Sequence, residues 1–80
     1  SIRQTGDAIT YQAALIAALD DDVITTDEMS MLDSLRNTLG LQEDEHALIE
    51  EAIRATATED ELGHRRLERL GEYLGKSPWS

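Results

Sequence analysis

Apolar residues recur at intervals of three and four along most of the chain, and this spacing predicts helices. Ala8, Tyr11, Leu15, Ala18 and Leu19, flanked by Ile16, mark the face of a first helix over roughly 7–20. Met29, Leu32, Leu35 and Leu39 mark a second over roughly 26–39. Leu48, Ile49, Ala52 and Ile53 mark the buried face of a third over roughly 43–56. A fourth over roughly 59–75 turns Leu62, Leu67, Leu70 and Leu74 inward and leaves Tyr73 at the edge. No segment alternates strictly between apolar and polar, so no strand is predicted.

Start and stop signals agree with these spans. Thr25 with Glu28, and Thr58 with Glu61, have the spacing of a capping box, in which hydroxyl and carboxylate each take the other residue's free amide. Gln42 with Glu45 is a weaker version, and Asp7 would cap the first helix. Acids crowd the starts, where the helix dipole favours them. Ile24 and Leu41 each stand one position before a cap, so the same entrance device is used twice. Gly40 follows Leu39 as a C-terminal glycine cap would, and Pro78 keeps the tail out of helix.

The expected fold class is therefore all-α: a compact bundle of four short antiparallel-neighbour helices. One domain covers residues 1–80, with an irregular tail at 76–80. The first helix, slimmed by Ala13, Ala14 and Ala17, is expected at the centre. Large aliphatics at about 2 kcal/mol each supply an adequate core. Truncating Leu32 or Ile53 should cost roughly 2–5 kcal/mol.

Charge narrows the functional classes. The net charge is −10, from 17 acids against 7 bases, and Lys76 is the single lysine. Acid-rich, lysine-poor composition suits a salt-saturated solvent, where hydrated carboxylates keep a surface soluble after screening has removed ordinary repulsion. A halophilic source and a cytoplasmic location are expected. Residues 20–61 hold 14 acids and 2 bases, whereas residues 62–80 hold 2 acids and 4 bases. That balance argues against nucleic acid as the main partner. No apolar run reaches a membrane span, and without cysteine there is neither a disulfide nor a thiolate metal site.

Candidate chemistry is sparse. The acidic turn Asp20-Asp21-Asp22 precedes Glu28, and Asp21, Asp22 and Glu28 are the candidate cation ligands. With Glu28 as the closing ligand of a calcium loop, only Asp21 joins it on a ligand position, and Asp22 stands where the loop needs glycine. Solvated acids at a helix end are the plainer reading. His46 precedes Glu50, and His64 precedes Glu68, by the four residues of a helical ion pair, so both read as surface histidines. Arg65, Arg66 and Arg69 form the basic cluster, to be neutralised by Glu61, Glu68 and Glu72 or offered to a partner. Tyr73 and Trp79 are candidate partner anchors. Together with Leu74 they make an apolar strip suited to a homodimer. No nucleophile motif or glycine-rich phosphate loop is present, so no enzyme is expected and no cofactor is implied.

Ala17 to Leu41, AALDDDVITTDEMSMLDSLRNTLGL, resembles the tellurite-resistance B-like (TerB-like) helical family. Shared elements are a small-residue helix end, an acidic turn, an apolar-apolar-Thr step, a glutamate at the helix start, leucines, and a Leu-Gly-Leu turn followed by acids. About half the chain is covered. Asp22 replaces the family's turn glycine, and its longer helical array is shortened here. The resemblance implies an all-helical interaction or scaffold module in stress-linked, often membrane-proximal assemblies, with Asp21, Asp22 and Glu28 matching the acidic turn.

The expected function is a non-catalytic protein-interaction or scaffold module with an acidic helical surface, its partner another protein. The alternatives are a divalent-cation-responsive regulator using the acidic turn and a small DNA-associated regulator using Arg65 to Arg69.

Overall fold

The computed structural model describes residues 2–21 and 23–76, with side chains from residue 6 onward except residue 22. Four helices follow in order: α1 (Ile2–Leu19), α2 (Thr26–Leu39), α3 (Glu43–Thr56) and α4 (Glu61–Lys76). No strand occurs among the described residues, and none of their helices is long and apolar enough to cross a membrane. The all-α expectation holds. The principal helix packings are those of α2, α3 and α4 on α1, which is the central helix.

α1 begins five residues before the expected start, so Asp7 lies inside the helix and caps nothing. Gly6 is the one weak helix former there, and an interior glycine costs only about 1 kcal/mol relative to alanine. The Thr10 hydroxyl donates to the Gly6 carbonyl at 2.9 Å, an ordinary bond within a continuing helix. Of the three alanines expected to ease close approach, Ala14 packs against the core, while Ala13 and Ala17 face solvent.

The α2 start forms as predicted. The Glu28 amide donates to the Thr25 hydroxyl at 3.1 Å, and the Thr25 amide donates to the Glu28 carboxylate at 2.9 Å. Ile24 is buried ahead of the cap. At the other end Gly40 takes φ 69°, the left-handed conformation that glycine adopts without steric cost. The Gly40 amide reaches the Asn37 carbonyl at 3.2 Å, and the Leu41 amide reaches the Arg36 carbonyl at 3.1 Å. That double closure is a Schellman motif, and buried Leu41 is its apolar clasp. At α3 the Gln42 amide donates to the Glu45 carboxylate at 3.2 Å, while the Glu45 amide goes to Asp44 at 2.9 Å.

The α4 start differs from expectation. Asp60, not Thr58, is the cap: its carboxylate accepts the Gly63 amide at 2.8 Å and the Thr58 hydroxyl at 2.6 Å. These two bonds, Thr58 first, hold the Asp60 carboxyl below the usual range. The helix therefore opens at Glu61, which leaves Glu61 outside the cap. Asp is at least as good a cap as Thr, and Thr58 is spent orienting it. Gly63 sits so close to the Thr58 backbone that any Cβ at this position would overlap the Thr58 carbonyl.

The core joins Tyr11, Leu15, Ala18 and Leu19 of α1 to Leu32, Ile49, Ile53, Leu70 and Tyr73, with Ile24 and Leu41 from the turns. Four expected core residues are outside it: Leu48 is 65% exposed, Leu62 is 67% exposed, and Ala52 and Leu67 are half-buried. His46, Ile49 and Ile53 carry the inward stripe of α3, which rotates Leu48 to the surface. Gly63, Leu70 and Tyr73 do the same on α4.

Candidate functional site

Polar chemistry concentrates in two places, one inside the bundle and one on its surface. Inside, every helix contributes. The Tyr11 hydroxyl of α1 and the Tyr73 hydroxyl of α4 share a hydrogen bond at 2.6 Å, both side chains fully buried. His46 of α3 lies against both rings, its centroid 5.7 Å from that of Tyr11 and 6.2 Å from that of Tyr73. Arg36 of α2 is buried beside them and pairs with Asp33 one turn earlier.

Titration in this hub follows its burial. Desolvation, then the Tyr73 hydroxyl, pushes the Tyr11 phenol far above its ordinary range. Desolvation also raises Tyr73, opposed first by its hydrogen bond with Tyr11 and then by the Arg36 cation. His46 is pushed down, first by burial and then by the Arg36 charge, so its neutral form is favoured.

These positions correct two sequence readings. Tyr73 is a core residue and not a partner anchor. His46 is 4% exposed and is not a surface residue, and Glu50 accepts from Arg54 at 3.2 Å. Arg36 drew no attention at all. The spacing held a signal for both missed residues. His46 stands three and seven residues before Ile49 and Ile53, and Arg36 stands four after Leu32. Polar side chains on an apolar stripe are buried with it.

The second place is a groove of about 240 Å³ between the C-terminal end of α1 and one flank of α4. Leu19, Asp20 and Asp21 line one wall, and Leu62, Arg65, Arg66 and Arg69 line the other. The α4 residues fall at i, i+3, i+4 and i+7, one helical flank. The acidic turn and the arginine cluster, separate features in the sequence, thus meet. Asp20 accepts both guanidinium branches of Arg66, at 2.9 Å and 3.0 Å. This forked pair joins α4 to the end of α1 across 46 residues of chain.

The three arginines divide. Arg66 is held by Asp20. Arg69 leans on Glu72 at 3.5 Å and Glu68 at 3.8 Å, and its buried Nε finds no hydrogen-bond partner among the described residues. Arg65 is exposed and has no ion pair among the described residues. Glu61 pairs with none of the three among those residues, and exposed His64 does not pair with Glu68.

Of the candidate cation ligands, Asp22 lies outside the described residues. The Glu28 carboxyl is held low, first by the Thr25 amide. Glu28 is therefore already employed as the α2 cap. No three His, Asp or Glu side chains converge in metal-binding fashion among the described residues. Trp79 also lies outside the described residues. With Tyr73 buried and Leu74 packed on the core, the described part of the expected dimer strip is not an open surface.

No family model matches the chain, and neither the curated proteins nor the solved structures searched contain a match.

Proposed function

We propose that this chain is a non-catalytic protein-interaction module whose contact surface is the groove between α1 and α4. The carrying observation is that an exposed leucine, Leu62, stands with an exposed guanidinium, Arg65, that has no ion pair among the described residues, on one wall of a concavity. An apolar contact ringed by arginine is the composition that protein interfaces favour. The Tyr11 and Tyr73 hydroxyls tie α1 to α4, and Glu28 and Asp60 serve in helix caps, which are structural roles. The TerB-like resemblance supports the same reading. A salt-rich cytoplasm suits the net charge of −10.

The test is affinity capture from extract of the source cells at their native salt, with wild-type protein and the Arg65→Glu variant side by side. A protein held by the wild type and lost by the variant is expected. Identical captured sets from both would end the proposal. Circular dichroism on the variant verifies that exposed position 65 tolerates the change.

A further inference from the structure

If the domain works through this groove, the chemistry of the walls specifies what enters it. We infer that the occupant is a short acidic segment of a partner protein, presenting an aliphatic side chain beside a carboxylate. The aliphatic group would lie on Leu62, and the carboxylate would bridge Arg65 and Arg69.

Charge complementarity carries the inference. Three guanidiniums and two carboxylates line the groove. The acids do not cancel the cations evenly. Asp20 is committed to Arg66, accepting from its Nε and one terminal nitrogen with both carboxylate oxygens. Arg65 is left with no anion among the described residues, and Arg69 has only long contacts at 3.5 Å and 3.8 Å. Its Nε is withdrawn from water without a hydrogen bond among those residues, a state that an arriving carboxylate would relieve.

Size and field select among anions. A groove of about 240 Å³ has room for one or two side chains of a partner segment. A long polyanion would also face the repulsion of a chain of net charge −10, whereas a short segment brings few charges. Exposed Leu62 beside Arg65 gives no advantage to a bare inorganic anion but holds an aliphatic side chain.

The Asp20–Arg66 pair acts here as an internal competitor. It keeps one guanidinium occupied by the chain's own carboxylate, so the groove is partly self-satisfied before a partner arrives. Removing that carboxylate should strengthen binding, an effect opposite in sign to the loss of an ordinary structural ion pair.

The test is NMR titration of the whole 80-residue chain with the blocked peptide Ser-Glu-Leu-Asp-Ser. Parallel titrations use Ser-Gln-Leu-Asn-Ser, Ser-Glu-Ala-Asp-Ser, inorganic phosphate and a short DNA duplex. Saturable shifts at Leu19, Leu62, Arg65 and Arg69 are expected with the first peptide, weakened in both altered peptides. Arg65→Gln should weaken binding by roughly tenfold. Asp20→Asn should tighten it about two- to fivefold. No saturable shift, equal binding of the amide peptide, or equal response to phosphate or DNA would overturn the assignment. So would an unchanged affinity in Asp20→Asn. If the peptide fails while Arg65→Glu still loses a captured protein, the groove remains an interface and only this occupant is wrong. If capture is also unaffected, the interaction function falls with it.

Discussion

The buried hub and the surface groove are built from related parts and have opposite characters. Each sets an arginine against an aspartate and brings α4 to α1. In the hub, Arg36, His46, Tyr11 and Tyr73 are shut away from water, so each polar group must be satisfied inside the protein. In the groove, Arg65 and Arg66 retain access to solvent, so a missing partner costs them little until a ligand supplies one. Burial, not residue type, decides which arginine is structure and which is surface chemistry.

Truncation should separate the two places most sharply. Tyr11→Ala removes a fully buried ring from the central helix and should cost about 3–5 kcal/mol. Arg65→Ala, on an exposed flank, should stay within about 0.5 kcal/mol. Urea unfolding of both variants measures the contrast. Similar values for the two would mean that the hub is not the keystone of the bundle.

The hydroxyl pair gives a finer measure. Tyr73→Phe leaves the Tyr11 hydroxyl buried beside a ring that cannot answer it, and should cost about 1–3 kcal/mol. Adding Tyr11→Phe removes the stranded group as well. The double variant should therefore lose less than the sum of the two single ones, and a double-mutant cycle reads the difference. Strict additivity would show that the two hydroxyls do not depend on each other.

Histidine protonation tests whether the hub stays dry. His46 is held below its ordinary value of 6.5 by burial first and by Arg36 second, with Glu50 opposing. As pH falls, the unfolded chain therefore takes up this proton before the folded one does. The contribution is fully present above about 6.5, declines below it, and levels off beneath the folded value. His46→Gln keeps hydrogen-bonding capacity without titrating, so it should flatten stability between pH 6.5 and the carboxylate range. A wild-type profile as flat as the variant's would show that water or an anion reaches the histidine.

Much of this was legible in advance, and the gaps share a cause. The spans of α2 and α3 follow from period and capping together, because Thr25, Gly40 and the stripe through Leu32 and Ile53 all agree. The early start of α1 was missed because an acid at position 7 looked like a cap, although nothing in residues 2–6 stops a helix. Tyr73 and His46 depart from expectation because their position on an apolar stripe outweighs their polarity. Leu62 and Leu48 depart in the reverse direction, since they are apolar but lie off the stripe. The arginine flank was visible from spacing alone. Its meeting with Asp20 depends on how α4 crosses α1, which no local pattern encodes.

Asp20→Asn is the smallest change and the one that sharpens the comparison furthest. The Asp20–Arg66 pair is forked but half-open to water, so its loss should cost about 0.2–1 kcal/mol. Screening should shrink even that. Near 0.1 M salt the Debye length is about 10 Å, and near 1 M it is about 3 Å, so the variant and the wild type should converge in concentrated salt. Thermal melts at the two salt levels check this. A large, salt-insensitive loss would move the pair into the same class as the hub, as a strut between α1 and α4 that could not release Arg66 to a ligand. A small, screened loss leaves Asp20 free to do what no hub residue can, which is to yield its partner when another carboxylate arrives.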